Sequence, residues 1–152
     1  MKKYILIFLL LVSCSSGKND SQSFYHGFTN NTWELGEKVS FPFEIIDTSA
    51  HYNVDGKLKV AKSFTFSSFN MGIVTQTPSG STRYKKINIL LRNDIGERNG
   101  EIINNYQEII FPIYNEMTFS EQGKWNLTFE HNMPIDIHEG IIALELFINK
   151  NK

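Results

Sequence analysis

Residues 38–47, KVSFPFEIID, decide the fold of this chain. Large apolar residues occupy every second position from Val39 to Ile45, and this period of two predicts a strand with one buried face. Pro42 has no N–H to donate to a neighbouring strand, so we expect the strand at a sheet edge or with a bulge at the proline. The strongest local pattern therefore indicates β-structure.

The same alternation recurs along the chain. Further short alternating segments lie at residues 64–68, 71–75, 84–91, 109–113 and 125–129. Turn-forming residues separate them, as in TPSGS at 77–81. Residues 140–149 are apolar on both faces, which places that strand in a sheet interior or between two layers. About seven or eight short strands predict an all-β, single-domain antiparallel β-sandwich of jelly-roll type over residues 24–152.

Two segments leave alternatives open. Asp55-Gly56 is a strong turn signal, and the apolar residues around it form either a hairpin or one strand that continues around a bend. Residues 102–110 are the best helical candidate, but they fit a loop that runs into a strand equally well.

The first fourteen residues carry a targeting signal. Lys2 and Lys3 precede a short apolar run, and Ser13 supplies the small residue at a cleavage point. Residues 11–14, LVSC, resemble the bacterial lipobox, which implies a signal peptide over residues 1–13 and a diacylglycerol thioether on Cys14. The alternatives are an ordinary secretory signal with an incidental cysteine or a short membrane helix. The run is too short for a spanning helix, which needs about 20 residues.

Residues 14–23 contain the lipidated cysteine and a polar stretch, SSGKNDSQS, which predicts a flexible tether. Cys14 is the single cysteine, so the mature domain has no disulfide, thiol nucleophile or cysteine metal site. The chain has 15 basic and 16 acidic residues, and this balance gives no basic face for nucleic acid.

Chemical motifs are weak. His131, Asp136, His138 and Glu139 match no zinc spacing, so we expect a solvated loop and no metal or cofactor. No nucleophile elbow, zincin helix or phosphate loop is present. Glycosidic hydrolysis needs two carboxylates about 5–9.5 Å apart, and its candidates are Glu44, Asp47 and Glu130. Such acids normally form the solvent face of strands, and we expect a protein that is not an enzyme.

Aromatic residues near loops are the candidates for binding. These residues are Tyr25, Trp33, Tyr52, Tyr84, Tyr106 and Tyr114. Trp33, Tyr52 and Tyr84 are the candidate contacts for a ligand or partner, whereas the alternation around Trp125 places that ring in the core. Two or three of these rings lying coplanar in one open groove would indicate a lipid-anchored carbohydrate-binding module. An uncovered strand edge would instead accept a partner's strand.

The order of these signals resembles a known family, the gliding-motility lipoproteins of the GldH type found in Bacteroidetes. The shared features are the lipobox and tether, Trp33 before FPFEIID (41–47), Tyr52-Asn53, TPSG (77–80), Leu91 with DIG (94–96) and Gly100, GKW (123–125), and Met133 with Gly140-Ile141. The family tends to carry an arginine after the matching methionine, where this chain has Pro134.

The resemblance implies an envelope lipoprotein linked to gliding and to the type IX secretion machinery, with no assigned enzymatic activity. Its expected partners are the membrane, through the lipid, and other gliding or secretion proteins of the envelope. Ser15 stands where an aspartate would retain some lipoproteins in the inner membrane, which favours the outer membrane. The partner's identity and the oligomeric state stay open.

Overall fold

The computed structural model describes residues 21–151. Cleavage after Ser13, lipidation at Cys14 and the first part of the tether lie outside the described residues. The strands are β1 (Ser21–Gly27), β2 (Thr32–Glu34), β3 (Val39–Ile45), β4 (Tyr52–Ala61), β5 (Ser68–Gln76), β6 (Thr82–Leu90), β7 (Glu101–Ile103), β8 (Tyr106–Met117), β9 (Gly123–His131), β10 (Ile137–Glu139) and β11 (Ile141–Lys150). No helix in this part of the chain is long and apolar enough to cross a membrane.

Two antiparallel sheets form the sandwich. One has the strand order β1-β11-β4-β8-β7, and the other has the order β3-β9-β5-β6. A short ribbon pairs β10 with β2. The inner faces of the two sheets share one core of buried apolar residues. The predicted all-β antiparallel sandwich is confirmed.

Strand β3 lies at a sheet edge, as Pro42 predicts, and pairs only with β9. Its residues alternate between buried and exposed along the whole strand. The Gln22 side chain donates to the Glu44 carbonyl and accepts from the Glu44 N–H, so the main-chain groups of Glu44 face away from β9. Pro42 stands two positions earlier and faces the same way, which puts its missing N–H on the open side.

Strand β11 lies inside its sheet, between β1 and β4, as its two apolar faces predict. Leu144, Leu146 and Ile148 are fully or almost fully buried. Aromatic rings fill much of the space between the sheets. The Phe119 ring lies 4.8 Å from that of Trp125 and 5.3 Å from that of Tyr52, both edge-on. Trp125 is therefore a core residue, as predicted.

Three local predictions need correction. Residues Ser21 to Ser23, assigned to the tether, belong to β1 and pair with β11. An edge strand needs main-chain hydrogen bonds from one neighbour only, so polar side chains do not prevent it. Phe64 and Phe66 precede β5 in a loop rather than in a strand, and their rings pack on each other 5.4 Å apart. Residues 102–110 contain the β7–β8 hairpin, so the helical alternative is wrong.

Asp55 and Gly56 lie in the middle of β4, and the hairpin alternative is wrong. The strand continues, with register shifts against β8 around Val54. Gly56 faces the core, and a Cβ on it would overlap the ring of Phe111 on β8. Close packing between neighbouring strands, rather than a turn, explains this glycine. The turn predicted at residues 77–81 does join β5 to β6, with Gly80 at φ +94°.

Asp47 closes the corner between β3 and β4. Its carboxylate accepts hydrogen bonds from the Lys150 ammonium (2.8 Å) and from the Ser49 hydroxyl and N–H (2.6 and 2.9 Å). Its carbonyl accepts one from the Tyr52 hydroxyl at 3.0 Å. The bonds from Lys150 and Ser49 hold the pKa of the Asp47 carboxyl well below its usual range.

We expect Gly56→Ala to lower the free energy of unfolding by about 1–3 kcal/mol, because the added methyl group pushes against a buried ring. Denaturant titration of the wild-type and variant proteins measures the change. Phe111→Leu frees space beside residue 56. The double variant should therefore lose less free energy of unfolding than the two single variants lose when their losses are added. A Gly56→Ala protein within about 0.5 kcal/mol of the wild type would contradict this packing.

We expect Asp47→Asn to destabilise the protein most at neutral pH. The pKa of Asp47 is lower in the folded than in the unfolded chain, where it is about 3.9. The ionised carboxylate therefore stabilises the fold above about pH 4, and this contribution is lost as the pH falls below that value. Denaturant titration from about pH 7 to pH 3 should show the free energies of unfolding of the two proteins moving closer together.

Lys150→Met should reduce the pH dependence without abolishing it, because it removes the largest cause of the lowered pKa of Asp47 and leaves the bonds from Ser49. If the wild-type and Asp47→Asn proteins differ in free energy of unfolding by the same amount over this pH range, the lowered pKa of Asp47 is refuted.

Candidate interaction surface

Trp33 is fully buried, so its predicted role as an exposed contact is wrong. Its ring stacks on Phe28 at 4.6 Å and lies 5.7 Å from the ring of Phe69. The indole N–H donates to the Glu37 carbonyl at 2.9 Å. Polar neighbours suggested an exposed ring, but on strand β2 those neighbours face outward and therefore turn the tryptophan inward.

Tyr52 is also buried, with 6% of its surface exposed. Its ring packs on Phe119, and its hydroxyl donates a hydrogen bond to the Asp47 carbonyl. The prediction of Tyr52 as a ligand contact is therefore wrong. Trp33 and Tyr52 lie in the core with different neighbours, so the three candidate rings do not form one open groove.

Tyr84 is the candidate ring that stays at the surface, 49% exposed. It lies against Gly72 on the outer face of the four-stranded sheet, where a Cβ on Gly72 would come within 2.6 Å of the tyrosine hydroxyl. The Asn132 amide donates to that hydroxyl at 2.8 Å. The ring thus has a defined position on an exposed strand, and its role as a contact stays a prediction.

The three candidate carboxylates do not make a hydrolytic pair. Glu44 lies opposite Lys124, whereas Glu130 stands at the other end of β9, about 20 Å away along the strand. Glu44 and Asp47 border one pocket of about 340 Å³. A general acid needs a raised pKa, but Lys150 and Ser49 lower that of Asp47 and occupy its oxygens.

Of the histidine and acidic residues near β10, the described side chains of His131, Asp136 and Glu139 do not form a metal-binding group. His131 is buried, and its ring lies 5.8 Å from that of Trp33, whereas Asp136 and Glu139 are exposed. Among the side chains that the structure describes, which do not include that of His138, no three histidine, cysteine or acidic side chains form a group that could hold a metal ion.

The outer face of the five-stranded sheet carries matched charges. Lys57 pairs with Glu145 at 2.9 Å and with Glu108 at 3.5 Å, and Lys59 also pairs with Glu108 at 3.5 Å. Burial alone would lower the pKa of Lys57, but the two carboxylates outweigh burial and raise it. Burial raises the pKa of Asp55 on the same face. These lysines are already neutralised within the sheet.

The edges of the two sheets differ in how they are protected. β3 has Pro42 and the Gln22 side chain, and β7 is three residues long. β6 is nine residues long, has β5 as its one neighbour among the strands of residues 21–151, and carries Arg83, Lys85 and Lys86 without an acidic residue. Sequence reasoning selected Tyr84 on this strand but not its edge or its basic side chains, although the run RYKK at 83–86 marks the strand as basic.

Two solved structures resemble the chain at a low level. One is the structure of TmCBM61 in complex with beta-1,4-galactotriose, with 10% identity, a TM-score of 0.36 and coverage of 79% of this chain and 69% of that chain. The other is the Tobacco streak virus coat protein, with 10% identity, a TM-score of 0.29 and coverage of 88% of each chain. TM-scores this low carry no argument about function. No curated protein matches the chain.

The family comparison covers most of the described residues. The model of the GldH lipoproteins matches residues 21–146, from the first residue of β1 into β11. The matched range contains both sheets, the β2–β10 ribbon and the loops between them. It also includes most of the motifs on which the sequence resemblance rests. The chain therefore belongs to the GldH lipoprotein family.

Proposed function

We propose that this protein is a non-enzymatic component of the gliding and type IX secretion apparatus, held at the envelope by an acylated Cys14 and acting through protein contacts. The observation that carries the proposal is the match of the GldH lipoprotein family over residues 21–146. The lipobox at residues 11–14 lies just upstream of that range and supplies the anchor. We place the protein at the outer membrane because Ser15, not an aspartate, follows Cys14.

The surface chemistry supports contacts rather than catalysis. Three of the groups considered for a reaction are poorly placed for one: Asp47 is ion-paired, His131 is buried among rings, and Glu130 lies far from Glu44. By contrast, the long exposed strand β6 offers main-chain groups and basic side chains to a partner. We therefore infer that this protein acts through the surfaces that its domain presents at the membrane.

The anchor keeps the domain close to the membrane. The link from Cys14 to Ser21 is about seven residues long and reaches at most about 25 Å when fully extended. β1 pairs along its whole length with β11, and β11 lies in the interior of the five-stranded sheet. A load on the lipid is thus transmitted first to the β1–β11 hydrogen bonds.

We expect a strain without this gene to lose surface gliding, and the wild-type gene to restore it. Cys14→Ala should leave the membrane fraction and fail to restore gliding, because the acyl chains supply most of the membrane affinity. Ser15→Ala is the matched control and should behave as the wild type. Colony spreading, single-cell tracking and blots of membrane fractions give the readout. Normal movement and normal assembly of the secretion complex without the gene would refute the proposal.

Glycan capture is the second candidate, and the exposed ring of Tyr84 is the observation that favours it. The groove of several coplanar rings that this function would require is not formed, because Trp33 and Tyr52 are buried. We expect isothermal titration against a panel of envelope and extracellular glycans to give no detectable binding. Binding that Tyr84→Ala abolishes would reverse the order of the two candidates.

A further inference from the structure

One side of β6 has unused main-chain hydrogen-bonding groups. At the two ends of the β5–β6 pair, the Thr77 N–H donates to the Ser81 carbonyl at 2.9 Å, and the Leu91 N–H donates to the Ser67 carbonyl at 2.8 Å. The odd-numbered residues of β6 therefore face β5. Because direction alternates along an antiparallel strand, the N–H and C=O groups of the even-numbered residues point outward. We call the outward groups of Thr82, Tyr84, Lys86 and Asn88 the β6 edge.

Nothing in residues 21–151 covers the β6 edge. All four of its residues are exposed, and none of the described hydrogen bonds reaches their main-chain groups. The edge ends at Leu90, whose carbonyl accepts a hydrogen bond from the Asn99 side chain at 2.9 Å. A row of unpaired donors and acceptors of this length is a template for another strand.

The neighbouring edges are less suited to a partner. β3 is protected by Pro42 and Gln22, and the Lys85 ammonium donates to the outward Ile113 carbonyl of β8. β1 is open, but it has no charged residue and lies on the opposite side of the sandwich, beside the link to the anchor. β6 therefore combines an open edge with a charge and with distance from the tether.

The positive charge of β6 favours a partner segment with negative charge. Arg83, Lys85 and Lys86 lie on the strand, and the strand has no acidic residue. None of the ion pairs within the described residues includes Arg83 or Lys86, in contrast to the neutralised lysines of the five-stranded sheet. An extended segment with carboxylates would neutralise these cations, whereas a basic segment would be repelled.

A pocket of about 490 Å³ opens beside the first half of β6, between the two sheets. Most of its lining is polar and includes Arg83 and Glu116, whereas Tyr114, Met117 and Trp125 supply apolar surface. Side chains of a strand alternate between two directions. A strand added to β6 would therefore turn every second side chain to the side of the sheet on which this pocket opens, and one of them would reach the apolar surface of Tyr114, Met117 and Trp125.

We propose that the β6 edge binds an extended acidic segment of a partner protein, which adds a fifth strand to the four-stranded sheet. The main chain of the segment pairs with Thr82, Tyr84, Lys86 and Asn88. Its carboxylates face Arg83 and Lys86, and one apolar side chain enters the pocket. This inference rests on the proposed function, because it names the surface and the kind of partner through which the lipoprotein acts.

The test first maps the partner segment in living cells. A photo-crosslinking amino acid replaces Asn88 on β6 or, as the matched control, Ser40 on β3, and mass spectrometry identifies the crosslinked peptide. We expect a strong crosslink from position 88 to a segment with net negative charge and alternating apolar residues, and a weak one from position 40. A helical or basic segment, equal crosslinks from both positions, or none at all would overturn the proposal.

The test then measures binding of the mapped peptide to the purified protein. Lys86→Pro removes one outward N–H without breaking a bond to β5, and we expect it to weaken binding by about tenfold. Lys86→Ala keeps that N–H, so it should weaken binding less and reduce its dependence on salt. Ser23→Pro makes the same change at the open edge of β1 and should leave binding unchanged. Thermal unfolding verifies that each variant is folded.

Gliding assays separate this inference from the proposed function. If both are right, Lys86→Pro is expressed and anchored normally but glides poorly. If wild-type protein restores gliding to the deletion strain and Lys86→Pro restores it equally well, the proposed function stands and the β6 edge is refuted. A deletion strain that glides normally refutes the proposed function itself.

Discussion

The structure depends on the main-chain pairing of β11 with β1 and β4. These strands lie far apart in the chain, yet their hydrogen bonds place the buried face of β11 against the opposite sheet. The single cysteine is Cys14, so no disulfide supports this arrangement. Stability comes from apolar burial, to which the fully buried rings of Trp33, Phe69, Phe119 and Phe129 contribute large areas.

An open sandwich of this kind always has strand edges, and edges left unprotected invite pairing with other chains. Here the protection is uneven. The β3 edge lacks a donor at Pro42 and is bonded by Gln22, whereas the β6 edge is long, exposed and basic. Under the proposed function, the lipid on Cys14 limits where the domain moves, and the β6 edge sets how a partner strand lies on it.

The sequence did not distinguish the exposed candidate ring from the two buried ones. Tyr84, Trp33 and Tyr52 are similar as isolated residues, since each is an aromatic ring in a polar setting. Only Tyr84 is exposed, because it lies on the outer face of an edge strand, whereas Trp33 and Tyr52 face the core. The basic run on β6 is visible in the sequence. That β6 has no second neighbouring strand among residues 21–151 is a property of the assembled sheet.

The sequence by itself determined the fold class, most of the strands and the family, and it limited β3 to a sheet edge or a bulge at Pro42. These features follow from local patterns: a period of two, a proline without a donor, turns such as TPSGS, and an ordered set of motifs. Only the tertiary structure decided which strands are neighbours, that Gly56 accommodates the Phe111 ring instead of forming a turn, and which rings are buried. Those outcomes depend on contacts between residues far apart in the chain, and a local pattern carries no information about its distant neighbour.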